Sequence, residues 1–323
     1  MTPVAFGVLG CADIAARKMI PALLASDGAR LVAVASRDGA KAGQFAGRFG
    51  CEAVTGYENL LAREDIDAVY IPLPAMLHAE WIERALLAGK HVLAEKPLCT
   101  DHATSAKLFS LAEERGLLLF ENFMFLHHSQ HVAVAEVLAE GVIGELRAFS
   151  STFTIPPKPA GDVRYQADVG GGMLLEVGVY PLRAAEHFLG PDLTVVGAVL
   201  RRSHEVVVSG GILLRDGNGV PAHLTFGMEH SYRTSYELSG SVGRLGLDRV
   251  FTPPETYQPV LWIQRQDHFE ERILRADHQF ANVVRLFTDV VRSGDDLVAH
   301  TTASLRHALL VDQVLDTAEV VDV

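Results

Sequence analysis

The sequence predicts a two-part α/β chain, with a doubly wound parallel sheet first and then an α+β domain on a large open, mainly antiparallel sheet. Two observations carry this. Over roughly the first 120 residues, short apolar runs alternate with helix-length amphipathic runs, the pattern of βαβ units and a parallel sheet. After Asn122 the alternation stops, and from Leu193 to Leu274 the chain is mainly strand-like, with the hairpin signal Asp216-Gly217-Asn218-Gly219 inside it. Strands that follow one another without crossover helices pair antiparallel.

Taken in order, strands are expected at Val4 to Leu9, Leu31 to Ser36, Ala68 to Leu73, His91 to Glu95 and Leu117 to Glu121. Helices are expected between them at Ile14 to Ala25, Lys41 to Phe49, His78 to Ala88 and Ala103 to Arg115. Gly89 and Gly116 stand where a helix should stop, and Asp101 can cap the last of them. A capped helix from Ser129 to Glu140 and a strand from Leu146 to Ile155 lead to the loop PPKPAGD. The stretch GGGMLLEVGVYPLRAAEHFLG then reads as a buried helix started by glycines and interrupted by Pro181. Helices near His278 to Arg292 and Ala303 to Ala318 close the sequence. The expected division is a dinucleotide-binding Rossmann domain over 1–121 and a substrate-binding and oligomerisation domain over 122–323.

At 323 residues the chain can hold two cores, and no apolar run approaches the ~18 to 20 residues that cross a bilayer. The start MTPVAFGVLG lacks the basic, apolar and small-residue segments of an export signal, so a cytoplasmic protein is expected. Cys11, Cys51 and Cys99 are an odd set without CxxC spacing, which argues against a disulfide framework and a zinc site. A net charge of -12 without basic stripes disfavours nucleic acid. It leaves room for a small phosphorylated ligand, which feels local arginines and helix N-termini more than distant charge.

The stretch GCADIA, residues 10 to 15, follows the first strand and reads as G-x-G-x-x-G/A with Gly10, Ala12 and Ala15 in the three places. Alanine adds only a methyl, so Gly10, Cys11, Ala12, Asp13 and Ile14 remain candidates to bring backbone N–H groups to a pyrophosphate. The second strand ends at Ser36-Arg37, where such folds read the ribose. A carboxylate there would accept from the 2′-OH of NAD, whereas Arg37 can grip a 2′-phosphate, so the expected cofactor is NADP(H). Asp38 is the competing feature, since it could take the ribose if the strand ended later.

Two later stretches, LAEKPLCT at 93 to 100 and GGGMLLEVGVYP at 170 to 181, resemble the motifs of the glucose–fructose oxidoreductase / inositol dehydrogenase family (Gfo/Idh/MocA). Glu95-Lys96-Pro97 matches the family's glutamate-lysine-proline motif. In its second motif, GG-x-x-x-D-x-G-x-H or -Y, Glu176 replaces the usual aspartate and Tyr180 takes the last place. The resemblance spans essentially the whole chain and implies a Rossmann domain followed by an α/β domain whose open sheet commonly builds dimers or tetramers. Lys96 also lies just past the carboxyl end of a strand, where ligands of open α/β sheets bind. The Lys96–Pro97 bond is a candidate for cis.

Hydride transfer to a ketone leaves negative charge on oxygen, so a donor must stabilise it and deliver a proton. Lysine is the stronger acid of the two candidates, so Lys96 is assigned as proton donor and Tyr180 as orienting or secondary donor. By the resemblance, Leu73, Pro74 and His78 lie beside the cofactor with Glu95 and Lys96, although His78 has a second reading as a helix cap. Arg164 is implied to face nicotinamide or substrate. The cluster Leu126-His127-His128-Ser129-Gln130-His131 is rejected as a metal site, because its spacing fits poorly and no carboxylate or thiol joins it.

FENFMFLHHSQH, FTIPPKPAGDVRYQADVGGG, LTFGMEHSY and VFTPPETYQPV are similar to stretches of the family's sugar-nucleotide 3-ketoreductases of antibiotic deoxysugar pathways. That implies NADPH-dependent reduction of the C-3 keto group of a dTDP-linked 3,4-diketo-2,6-dideoxyhexose. Candidates to hold the sugar nucleotide are Phe123, Phe125, Arg164, Tyr165, Glu176, Tyr180 and Arg183. Two alternatives stay open: an NADP-linked dehydrogenase of free sugars or trans-dihydrodiols, and a non-catalytic NADP-sensing partner protein.

Overall fold

The structure, a computed structural model, describes residues 2–323 except 160, 167, 168, 170 and 296. The chain divides into two compact units. The first takes Met1–Met124 and Gln279–Leu305, and the second Phe125–His278 and Arg306–Val323. The sequence-based boundary gave all of 122–323 to the second. Segment 279–305 instead returns to the first, where Phe287 packs on Phe6 of the first strand and on Phe120.

In the first unit the elements run β1 (Val4–Leu9), α1 (Ile20–Leu24), β2 (Ala29–Ser36), α2 (Gly39–Phe49), β3 (Glu52–Thr55), α3 (Tyr57–Leu61), β4 (Ala68–Ile71), α4 (His78–Leu87), β5 (His91–Glu95), α5 (His102–Glu114) and β6 (Leu119–Asn122). The strands form one parallel sheet in the order β3-β2-β1-β4-β5-β6. β1 and β4 are buried along their whole length, as central strands covered on both faces must be. The order reverses between β1 and β4, so a crevice is expected outside the carboxyl ends of those strands. β3 and α3 were not expected from the sequence. β3 is a short edge strand without alternating apolar residues, paired among the described strands with β2 alone.

The second unit contains α6 (Ser129–Ala139), β7 (Leu146–Thr154), α7 (Val179–Leu189), β8 (Thr194–Ser203), β9 (Val206–Arg215), β10 (Pro221–Gly227), β11 (Arg233–Gly240), β12 (Gly243–Asp248), β13 (Val260–Arg265) and β14 (His268–Ile273). The chain ends with α8 (Gln279–Ser293), α9 (Val298–Thr317) and β15 (Ala318–Asp322). The sheet order is β14-β13-β12-β11-β7-β10-β9-β8-β15. Its pairs are antiparallel except β10 with β7 and β15 with β8. β15, an almost wholly exposed edge strand that begins where the last expected helix ends, was not expected from the sequence.

The β9–β10 hairpin forms as expected, with the Asp216 carboxylate accepting from the N–H groups of Asn218 (2.9 Å) and Val220 (2.7 Å). One face of the sheet is apolar, with Phe149, Phe153, Tyr236, Leu238, Leu245 and Leu261 buried. The alternate positions Ser150, Thr152, Arg233, Ser235, Glu237 and Trp262 line a cavity of about 200 Å³ on the other face.

Two helices open with a widened π-turn, Ala15–Met19 before α1 and Leu174–Gly178 before α7. Each turn ends shortly before a proline, Pro21 or Pro181. Proline offers no N–H to the carbonyl four residues back and its ring pushes that carbonyl away, so the turn holding Arg17 or Val177 widens. The irregularity thus falls ahead of Pro181 rather than at it.

Candidate active site

Gly10 ends β1 with φ +117°, a conformation open to glycine, and its N–H donates to Ala35 O at 2.9 Å. A Cβ there would lie 2.9 Å from Leu73 Cδ2, so the loop after β4 closes directly over this turn. Ala12 begins the following helix, its carbonyl accepting from Ala16 N–H at 3.1 Å, and Ala15 is fully buried. Cys11, Ala12 and Ile14 are half-buried and Asp13 is exposed, its carboxylate taken by Arg17 Nε at 2.6 Å. Burial pushes the Cys11 thiol up against the pull of Lys41 and Ser36, so it stays protonated at neutral pH.

β2 stops at Ser36, whose hydroxyl accepts from Asp38 N–H at 3.2 Å. Asp38 caps α2, with Oδ1 accepting from the N–H groups of Ala40 (2.8 Å) and Lys41 (3.3 Å). Its carboxylate is committed to the helix, while Arg37 is exposed beside the Tyr57 phenol. Burial raises the Tyr57 pKa and the Arg37 charge opposes it. Sequence reasoning missed Lys41 and Tyr57 in this neighbourhood. A second cation just inside the helix that follows Arg37 was the available signal.

At the ends of β4 and β5, buried side chains frame Lys96. Glu95 is 8% exposed, and its Oε1 accepts from the Tyr70 hydroxyl and from Asn122 Nδ2, both at 2.7 Å. Burial drives the Glu95 carboxyl up, against the pull of Tyr70, Lys96 and Asn122. Tyr70 and Asn122 were not singled out in the sequence. Leu98 N–H is fixed by Glu121 Oε1 at 2.8 Å. Lys96 itself is half-buried, and the Lys96–Pro97 bond is cis.

His78 is corrected from a cofactor contact or helix cap to an internal clasp. It is 1% exposed, with Nδ1 2.8 Å from Pro97 O and Nε2 2.7 Å from Leu73 O. Neither ring nitrogen is left for a ligand, and the residue instead ties the loop after β4 to the bend that follows Lys96. Burial lowers its pKa, and the Lys96 charge adds to the effect. Leu73 is buried and Pro74 half-buried in that loop.

In the second unit Tyr180 is 5% exposed and packs against Phe153, Phe251 and Phe125 at centroid distances of 5.1, 5.4 and 5.8 Å. Arg164 does not present a free guanidinium. Its Nε and Nη2 donate to Glu176 Oε1 at 2.9 and 2.6 Å, and its Nη1 donates to Asp162 Oδ1 at 3.0 Å. Tyr165 donates from its hydroxyl to Glu229 Oε1 at 3.2 Å. Gly170, the first glycine of the second motif, lies outside the described residues.

Three further expectations change. Phe123 and Phe125 are too buried to stack on a base, and Phe125 is enclosed by Phe251 and His131. Arg183 is buried and paired with Glu186 at 3.4 Å, which also takes His307 Nδ1 at 2.6 Å, so it is internal rather than a diphosphate contact. The histidine run is built into the unit. His128 Nδ1 accepts from Gln130 N–H at 3.1 Å, and His131 bridges the Tyr236 hydroxyl and Val250 O. Burial, with Arg183 nearby, pushes His127 down to about 4. Among the described residues no group of three or more His, Cys, Asp or Glu is arranged to hold a metal ion.

Residues 4–123 match the oxidoreductase family with an NAD-binding Rossmann fold, GFO_IDH_MocA, and residues 131–246 match the GFO/IDH/MocA C-terminal domain. A dTDP-3,4-didehydro-2,6-dideoxy-alpha-D-glucose 3-reductase of Actinomadura kijaniata is 60% identical over 97% of this chain and 95% of its own length. A protein of the same name from Streptomyces antibioticus is 57% identical over 98% and 97%. The crystal structure of a 3-ketoreductase from Actinomadura kijaniata in complex with NADP and TDP-benzene superposes with a TM-score of 0.99 at 58% identity, covering all of both chains. With both halves matched in one order and relatives aligned over nearly its whole length, the chain belongs to the Gfo/Idh/MocA oxidoreductase family.

Proposed function

We propose that this protein is an NADPH-dependent ketoreductase of deoxysugar biosynthesis. It reduces the C-3 keto group of a dTDP-linked 3,4-diketo-2,6-dideoxyhexose to give the 4-keto-2,6-dideoxy sugar. The observation that carries the reading is Lys96, an ammonium group at the carboxyl end of β5 whose neighbours on either side are fixed by buried clasps. The names of relatives 57 to 60% identical over almost the full chain give the substrate class.

The residues present fit NADP(H). The Gly10 turn and the start of the helix at Asp13 offer backbone N–H groups to a pyrophosphate, with Cys11, Ala12 and Ile14 in the same turn. Ser36 and Arg37 stand where a 2′-phosphate is read, and the capping role of Asp38 removes the carboxylate that would favour NAD. When bound, NADPH supplies the hydride for the C-3 carbonyl. Lys96 stabilises the negative charge that grows on the carbonyl oxygen and gives it a proton, and Tyr180 orients the sugar or acts as a secondary donor. Tyr165 and Glu176 belong to the wall on the sugar-nucleotide side. The open polar face of the nine-stranded sheet is read as the surface for self-association into a dimer or tetramer, and the enzyme as cytoplasmic.

Single-turnover reduction of the dTDP-diketosugar tests the assignment. Lys96→Ala is expected to slow the chemical step by about 10²- to 10⁴-fold with NADPH binding retained, and Tyr180→Phe by less. Near-normal turnover in Lys96→Ala with abolition in Tyr180→Phe would exchange the two roles. Turnover of free hexoses but not of the dTDP sugar would replace the substrate class.

A further inference from the structure

Arg164, a cation in the sugar-nucleotide set, lies between two carboxylates. All three of its nitrogens donate: Nε and Nη2 to the same Glu176 oxygen, and Nη1 to both oxygens of Asp162 at 3.0 and 3.3 Å. Asp162 also accepts from Arg164 N–H at 3.0 Å, so it caps the short turn Val163–Tyr165 while holding the side chain of the residue inside it. One positive charge against two negative ones leaves the group net anionic, a poor seat for a diphosphate. The half-buried, multiply hydrogen-bonded fork instead makes a tether.

The tether joins two particular pieces of chain. Glu176 sits in the π-turn Leu174–Gly178 that feeds directly into α7, four residues ahead of Tyr180. On the other side, the turn that carries Arg164 is anchored a second time. The Tyr165 hydroxyl donates to Glu229 Oε1 at 3.2 Å and accepts from Lys158 N–H at 3.4 Å. Glu229 holds φ +68° in the connection after β10, a left-handed conformation for a non-glycine residue. The segment 161–166 is thus pinned between the turn before Tyr180 and the end of β10. A carboxylate one methylene shorter at 176 would not reach both Arg164 nitrogens at these distances.

We propose that Arg164, Glu176 and Asp162 form a latch of positioning residues. It sets segment 161–166 and the turn before Tyr180 in one fixed arrangement for the sugar nucleotide, and Arg164 is not itself a ligand of the diphosphate. This rests on the substrate class proposed above. In that reading the extra methylene of glutamate, where the family motif has aspartate, is what lets position 176 hold the arginine.

The test combines steady-state kinetics with hydrogen exchange on Arg164→Ala, Glu176→Gln, Glu176→Asp and the double variant Arg164→Ala/Glu176→Gln. Each single variant is expected to raise KM for the dTDP sugar about tenfold while leaving KM for NADPH within about twofold, and the double variant is expected to be no worse than either single one. Amide exchange in 161–166 of the substrate-free protein is expected to quicken equally in all four. A raised KM in Arg164→Ala with an unchanged or lowered KM in Glu176→Gln would overturn the latch, because Arg164 would then be an anion ligand that Glu176 restrains. Unchanged exchange in 161–166 would overturn it as well. If the unmodified enzyme turned over no dTDP sugar, the substrate reading would fail, and the exchange data would still decide whether the latch exists.

Discussion

Replacing His78 with phenylalanine keeps an aromatic ring in a site 1% exposed but removes both nitrogens that face Leu73 O at 2.7 Å and Pro97 O at 2.8 Å. A neutral imidazole carries one N–H, so it donates to one of these carbonyls at a time. Losing that donor in a buried site costs about 1–3 kcal/mol, the desolvation of an unpaired acceptor included. The unit that contains it spans Met1–Met124 and Gln279–Leu305. For a unit of about 150 residues, where 1 kcal/mol moves Tm by roughly 2–4 °C, the expected fall is about 2–12 °C, read by calorimetry.

The pH dependence supplies a second readout. Burial, with the Lys96 charge added, holds the folded-state pKa of His78 below its ordinary value. The unfolded chain therefore binds the proton first, so this histidine's contribution to stability is complete above about pH 6.5 and declines as the pH falls below that. Phenylalanine has no such dependence, and the Tm gap between the two proteins should narrow between about pH 7.5 and pH 5.5. A Tm unchanged within about 1 °C would refute the clasp, whereas a gap that widens in acid would keep it and show the ring held as an imidazolium that donates to both carbonyls.

Arg37→Ala is expected to lower kcat/KM for NADPH by about 10- to 100-fold and to leave that for NADH within about twofold, and equal loss with both would remove the 2′-phosphate assignment. Burial raises the Glu186 carboxyl, but His307, Arg183 and Arg306 outweigh it and hold it below its ordinary range. The stability it contributes is therefore present above the unfolded value near pH 4.3 and is lost as the pH falls through the folded one. Glu186→Gln should destabilise the protein by about 3–5 kcal/mol at neutral pH in urea titration, and should flatten the acid limb of its stability profile. Gly240→Ala would press a Cβ onto the backbone carbonyl of Ile143 and should cost about 1–3 kcal/mol or more, seen as a lowered urea midpoint; a midpoint equal to that of the unmodified protein would show that the backbone there can yield.

The central strands were legible because burial on both faces writes itself as apolar runs, as in Val4 to Leu9 and Val92 to Ala94. β3 and β15 were not, since short exposed edges need little more than backbone pairing. In the candidate site, the apolar runs locate Gly10 and Lys96 just past the ends of β1 and β5, while Lys96 was singled out by the family motif Glu95-Lys96-Pro97. What spacing could not reveal is which partner each side chain finds. The two carbonyls that engage His78 belong to the backbone, and every residue has one. Arg164 and Glu176 are twelve positions apart, one inside a short turn and the other inside a π-turn. Phe123 and Phe125 had the right chemistry for a nucleobase, but both are buried, Phe125 in the aromatic cluster around Phe251.

Asp38 has a consequence for anyone wishing to retarget the enzyme. An acidic side chain one position past Arg37 looks like a ready receptor for an unphosphorylated ribose, yet its oxygen already terminates two N–H groups of α2. Redirecting it toward a new hydroxyl would leave that helix frayed at its first turn. With Arg37 as the proposed reader of the 2′-phosphate, cofactor preference and the integrity of α2 are linked through one carboxylate, and a switch to the unphosphorylated dinucleotide needs a replacement cap as much as it needs the loss of an arginine.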